Sequence, residues 1–379
     1  MIKPLSTLTK EQLKDRIRGC LFGNAVGDAY GLATEFMSKG HARERYGNGP
    51  IEFGSDAGYP VYIDFHRSKW SRNDFTDDTD QMLLILQTLQ QTQDGRLHAP
   101  LFAKRLKEWS IIGFPEMQTP PRGIGYTVGS TLSHPEFRYN PHKAAFDVWN
   151  ARGRNLAANG AVMRTSVLGV ESFWDEARVV ENALAAAKVT HADPRSIVSA
   201  LIASVLISRL LRGGGQSADE DASRTWNPKL EQESYKLELL EYLRRGSDMK
   251  DELVASCFPK NLDDLKLGDA AGMGYTFKCI GIGYYAATKR EDPAPTSDAY
   301  KGPAGLFRGV MEQVTLEAGD ADTNGAVVGS LLGARLGVKE GIPNSWWTEL
   351  KHFEWFSSTV DEYADRVIAM YEEQEQRRL

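Results

Sequence analysis

The sequence predicts an all-α protein. Apolar residues recur with the 3.6-residue helical period along much of the chain, helix-start signals precede several of these runs, and segments with the two-residue alternation of a strand are scarce. In chain order, the period runs through Leu13 to Ala33, Asp80 to Leu89, Asp175 to Val189, Pro194 to Leu211, Leu230 to Leu243, Gly325 to Leu336 and Val360 to Glu373. Thr9 stands three residues before Gln12, a capping box that satisfies two free backbone N–H groups. Asp193 before Pro194 pairs an N-cap with proline at the first helical position, where its missing N–H loses nothing. Residues 51–65 hold the best strand candidate, broken by Pro60 and two glycines.

The 379 residues are 41% hydrophobic and 25% charged, the composition of a globular chain with a sizeable core. The formal charge of -6 argues against a sequence-independent nucleic-acid binder, which needs a basic surface. Cys20, Cys257 and Cys279 are far apart and form no CxxC pair, so neither a disulfide framework nor a structural zinc site is expected. The first residues show no secretory h-region, and no apolar run approaches the ~20 residues that span a bilayer. A monomer in the cytoplasm or nucleus, without nucleic-acid or membrane partners, is expected. Gly213 to Trp226 is polar and glycine-rich. Because motifs on both sides of it belong together, we read residues 1–379 as one domain with a loop-plus-helix excursion at about 212–270.

Two predicted helices carry glycine every fourth residue, at 19, 23, 27 and 31 and at 325, 329, 333 and 337. A glycine inside a helix costs about 1 kcal/mol against alanine, and close approach of two helices offsets that. The same stripe occurs in membrane helix pairs, but Asn24, Asp28 and Arg335 disfavour that setting. Both helices are expected to be central and buried, against each other.

Thr76-Asp77-Asp78-Thr79-Asp80 and Gly319-Asp320-Ala321-Asp322-Thr323-Asn324 each stand at the start of a predicted helix. Capping needs only one such residue. Adjacent carboxylates repel, and a cation resolves the conflict. Hard oxygen donors without paired His or Cys suit magnesium, manganese or calcium rather than zinc.

These clusters lie within six ordered motifs: GCLFGNAVGDAYGLATEF at 19–36, FTDDTD at 75–80, RGIGYTVGSTL at 122–132, NGAVMR at 159–164, THADP at 190–194 and GDADTNGAVVGSLLGARLG at 319–337. Together they resemble the ADP-ribosylglycohydrolase family over most of the chain. The resemblance implies an orthogonal multi-helix bundle with two Mg2+ ions in a cleft, Mn2+ being the substitute. By position it implies Thr76, Asp77, Asp78, Asp320, Asp322 and Thr323 as ligands. Glu35 falls where the family has a mobile glutamate beside the substrate, and Asp77, Asp78 or Glu35 is the expected proton acceptor. Gly123, Ile124, Gly125, Tyr126 and Thr127 fall on the pyrophosphate loop, and Asn159, Gly160, Met163 and His191 on other parts of the binding cleft. Alone, each of these would be an ordinary turn, packing or cap residue. By the same resemblance, Ala318 departs from a glycine of many members and Thr127 from a glycine frequent in vertebrate relatives, and the 212–270 excursion is long.

The implied activity is hydrolysis at the anomeric carbon of an ADP-ribosyl group on a protein or a small molecule, through an oxocarbenium-like transition state. ADP-ribose 1″-phosphate and O-acetyl-ADP-ribose are alternative substrates. A catalytically inactive, ADP-ribose-binding or structural member is the alternative from another class. Retention of all six ligand positions and Glu35 speaks against it.

Overall fold

A computed structural model describes residues 5–54, 62–92, 94–213, 247–292 and 294–378. Among them the chain forms fifteen α-helices, short 3-10 turns and no strand; extended pairing is confined to three isolated bridges. In order the helices are α1 (Lys10–Gly31), α2 (Lys39–Tyr46), α3 (Asp77–Gln91), α4 (Ala99–Ile112), α5 (Tyr126–Leu132), α6 (Pro141–Ala151), α7 (Ser166–Val170) and α8 (Glu176–Lys188). There follow α9 (Pro194–Leu211), α10 (Ser247–Cys257), α11 (Thr276–Thr288), α12 (Gly302–Leu316), α13 (Ala321–Leu336), α14 (Asn344–Thr348) and α15 (Phe353–Arg378). The all-α prediction therefore holds. The helix expected over Leu230 to Leu243, and with it most of the 212–270 excursion, lies outside the described residues.

Local signals set several boundaries as expected. The Thr9–Gln12 capping box opens α1, and the Asp193 side chain accepts from Arg195 N–H to start α9 at Pro194. α9 is the one described helix long and apolar enough to cross a membrane, and most of it is buried inside the fold. Two helices begin earlier than their apolar period. α3 starts at Asp77 with Thr76 as its cap, and α13 starts at Ala321 after Asp320. Both acidic clusters thus occupy first helical turns, where free N–H groups and the dipole favour negative charge.

The glycine ladders interlock. α1 and α13 run antiparallel, with Gly19 against Gly333, Gly23 against Gly329, Gly27 against Gly325 and Gly31 against Ala321. A Cβ at any of these α1 glycines would overlap a backbone carbonyl of α13, and the ladder glycines of α13 meet α1 in the same way. Only glycine permits this separation. α9, α11 and α12 pack on α13, while α7 and α15 pack on α1, so the pair forms the axis of the core. Each apolar side chain around it is removed from water, the main favourable term in folding.

Candidate active site

The antiparallel crossing carries the end of α1 to the start of α13, and α3 begins beside both. Thr76 Oγ1 lies 3.2 Å from Asp78 Oδ2 and 3.5 Å from Asp322 Oδ2, joining clusters 246 residues apart. Glu35 follows α1 in a short extended bridge to Gly319. Phe36 N–H donates to Gly319 O at 2.7 Å, and Gly319 N–H donates to Met37 O at 3.0 Å. This pairing brings Glu35, Asp320 and Asp322 together, with ligand oxygens all within 4.8 Å of one another. Gly319 has φ +79° and Ala318, fully buried, has φ +62°. Both lie in the left-handed region that glycine occupies without strain, so Ala318 bears a backbone cost.

Buried carboxylates dominate the electrostatics of the cluster. Burial, reinforced by neighbouring carboxylates, pushes Asp77, Asp78 and Asp322 well above the usual carboxylate range. Asp78 Oδ1 is buried without a hydrogen-bond partner. Asp28, on the buried face of α1, is raised to about 7 by burial despite its hydrogen bonds. Its Oδ2 accepts from Thr79 Oγ1 at 2.6 Å and from the N–H groups of Thr76 and Thr79 at 3.0 Å. Asp28 thereby caps α3 from outside and ties it to the axial pair. Converging carboxylate and hydroxyl oxygens, repelled by one another and including an orphaned oxygen, fit a hard divalent cation.

The remaining expected residues flank the cluster in different ways. Asp77 accepts from Gln81 Nε2 at 2.8 Å, and Thr323 is buried beside Asp78. An added Cβ at Gly123 or Gly125 would meet nothing within 4 Å, so backbone there is open to close approach. Ile124 packs on the core, Tyr126 is exposed under Arg152, and Thr127 is buried. Asn159 donates from Nδ2 to Asp320 Oδ2 at 2.9 Å, and Met163 is buried nearby in sequence. His191 lies beneath Gly160, where an added Cβ would come within 3.2 Å of His191 Cε1. Burial, with the Arg164 charge, holds the His191 pKa well below its usual value, so the ring is neutral. Thr190 Oγ1 accepts from Arg164 at 2.6 Å and stands 2.8 Å from His191 Nδ1.

A family model described as ADP-ribosylglycohydrolase matches residues 9–377. The chain belongs to the ADP-ribosylglycohydrolase family. That membership makes it a hydrolase of ADP-ribosyl linkages. It is 25% identical over 347 residues to the ADP-ribosyl-[dinitrogen reductase] glycohydrolase of Rhodospirillum rubrum, covering 90% of this chain and 92% of that one. It is 24% identical to ADP-ribosylhydrolase ARH3 of Mus musculus, over 89% of this chain and 88% of the relative. A solved ADP-ribosylglycohydrolase-related protein complex contains a chain with the same fold at 21% identity, with a TM-score of 0.60 over 94% of this chain and 99% of that one.

This family member also places residues at the cleft that sequence reasoning passed over. His66 Nε2 lies 2.5 Å from Glu35 Oε2, and Arg67 donates to the carbonyls of Ala33 and Glu35. Arg122, first residue of the glycine loop, turns inward. Its side chain is 4% exposed and pairs with Asp74 at 2.9 Å and Asp80 at 3.1 Å, over the rings of Trp70 and Phe75. It pins the loop to α3. Gly274, at φ +76°, backs Asp320 so closely that an added Cβ would lie 3.0 Å from Oδ2. Asp28 left a trace in the sequence, as a carboxylate within the glycine-lined half of α1. His66 left none.

Proposed function

We propose that this ADP-ribosylglycohydrolase is a magnesium-dependent enzyme with two ions, releasing ADP-ribose by hydrolysis at the anomeric carbon of its substrate. The observation that carries this reading is the meeting of Thr76 and Asp78 with Asp322, Asp320 and Glu35, with Asp78 Oδ1 buried and without a hydrogen-bond partner. Thr76, Asp77, Asp78, Asp320, Asp322 and Thr323 would hold the ions. Bound there, divalent cations supply Lewis acidity and positive charge to substrate and water oxygens. Asn159 orients Asp320 by hydrogen bonding to Oδ2, and Asp28 keeps the start of α3 in register with α13. Glu35 Oε2 is occupied by His66, which leaves Oε1 to accept the proton of the attacking water. The open backbone at Gly123 and Gly125 receives the pyrophosphate through main-chain N–H groups, because the Arg122 charge is committed inward.

Among leaving groups, we favour an arginine-linked or small-molecule ADP-ribosyl conjugate. Relatives that support this include the dinitrogen-reductase-directed enzyme and the ADP-ribosylarginine hydrolase Tri1 of Serratia proteamaculans, 22% identical over 215 residues. The test offers purified protein a panel: ADP-ribosylated arginine, ADP-ribosylated serine peptide, poly(ADP-ribose), O-acetyl-ADP-ribose and ADP-ribose 1″-phosphate, each with Mg2+ and with chelator. Free ADP-ribose is measured. Release from at least one conjugate, abolished by chelation and restored by Mg2+, is expected. Release that ignores the chelator overturns the metal assignment, and no release from any conjugate overturns the hydrolase reading.

A further inference from the structure

We propose that His66 is a positioning residue for Glu35, holding its carboxylate against the Asp320–Asp322 pair. The inference rests on the reading above, in which Glu35 serves the hydrolytic step. Glu35 stands after the last turn of α1 with its side chain close to two other carboxylates. Crowded carboxyl groups do not fix one another's arrangement, and the flexible glutamate chain has several rotamers through which to leave. A specific contact must oppose that. The contact is His66 Nε2, 2.5 Å from Glu35 Oε2.

The imidazole is itself held. The neighbouring Arg67 is buried, donates from Nε to Ala33 O at 2.9 Å and from Nη2 to Glu35 O at 2.5 Å, and pairs with Asp64. The His66 ring lies against the Phe36 ring, centroids 4.9 Å apart, and Phe36 is fixed at φ +60° by its hydrogen bond to Gly319. Residues 64–67 therefore strap the Glu35 turn from outside, Arg67 gripping its backbone and His66 its carboxylate. The glutamate side chain is almost buried while His66 is 28% exposed, so the imidazole closes the outer side of the glutamate. The contact joins two loops outside the axial helices, and loss of the imidazole leaves the core packing intact.

The experiment is a double-mutant cycle with His66→Ala, His66→Gln, Glu35→Gln and His66→Ala/Glu35→Gln. It measures kcat and KM on the best conjugate of the panel, ADP-ribose affinity by calorimetry, and melting temperature. We expect His66→Ala to lower kcat at least tenfold, with KM, ADP-ribose affinity and melting nearly unchanged. His66→Gln should recover most of the loss, because its amide N–H reaches a similar place. In the Glu35→Gln background, His66→Ala should have no further effect, since the group it positions is already disabled. If Glu35→Gln is inactive but His66→Ala turns over normally, or if the two losses multiply, the positioning role is wrong while the functional reading stands. If Glu35→Gln itself turns over like wild type, both fail.

Discussion

Gly27→Ala probes how the helical axis sets the site. An alanine methyl at 27 would overlap the carbonyl of Gly325 and lie 3.0 Å from Ala326 N. All of these are backbone atoms of a buried helix, so no side chain swings aside. Favourable contacts of this kind lie at ~3.5–4.0 Å and the added Cβ would stand 1.9 Å from Gly325 O, so α1 and α13 must part by roughly 1.6 Å or more. Overpacking costs about 1–3 kcal/mol, and this site belongs at the upper end, because Gly23 and Gly31 lose their close contacts together with Gly27. Alanine returns about 1 kcal/mol of helix propensity. The net loss is about 2 kcal/mol. An unfolding entropy of about 2.1 cal/mol/K per residue over 379 residues converts this to a melting drop of about 2–3 °C. Gly309→Ala in α12 is the matched control. There the nearest atom to an added Cβ is Tyr300 Cδ1 at 3.6 Å, so the substitution gains propensity without overlap and melts about 1 °C higher. Calorimetric melting compares both variants, and titration calorimetry measures Mg2+ affinity. Because α1 supplies Asp28 to Thr76 and α13 carries Asp322, Gly27→Ala should also weaken Mg2+ binding several-fold, and Gly309→Ala should not. A Gly27→Ala protein that melts as high as the control and binds Mg2+ normally refutes the interlock as the device that spaces the clusters.

Other outcomes follow from the same geometry. Asp78→Ala and Asp322→Ala should each abolish ADP-ribose release yet melt no lower than wild type in chelator, since each removes a carboxylate that burial penalises; full turnover in either variant overturns the assigned ligands. Mg2+ at about 100 times its Kd should stabilise wild type by about 2.7 kcal/mol and leave Asp322→Ala almost unmoved, as read by thermal melting. Glu35→Gln should lower kcat strongly with ADP-ribose affinity retained; a loss of affinity at unchanged kcat would make Glu35 a binding group only. Burial alone would raise the Glu176 carboxyl, but Arg209 at 2.8 Å and Arg212 at 2.7 Å outweigh it and hold it below its usual value. Its stabilisation is therefore full above the ordinary carboxylate range and lost as pH falls through the folded value. Glu176→Gln should melt below wild type at neutral pH and converge with it in acid, and parallel melting curves would refute this.

Much of this was legible in sequence because the signals are short. A capping box spans four residues, a helical stripe a few turns, and a glycine ladder declares that something approaches closely. The two ladders even identified each other as partners, since few other surfaces accept a backbone so near. The acidic runs declared a need for positive charge through composition alone, and their order among six motifs carried the family. The helix starts at Asp77 and Ala321 were misjudged by the apolar period because the first turns of α3 and α13 are filled with ligand-type residues instead of core residues.

Which group faces which was decided by packing. Nothing local distinguishes Arg122 turned inward to Asp74 and Asp80 from an arginine turned to the cleft, and nothing local joins His66 to Glu35. His191 became a buried neutral ring beneath Gly160 only when α9 and the 159–164 segment came together. Helix type, caps and charge are properties of neighbours along the chain, so a sequence determines them. The meeting of Thr76 with Asp322 is a property of the α1–α13 separation. That distance depends on backbone contacts between residues about three hundred positions apart, and it exists only once the helices have packed.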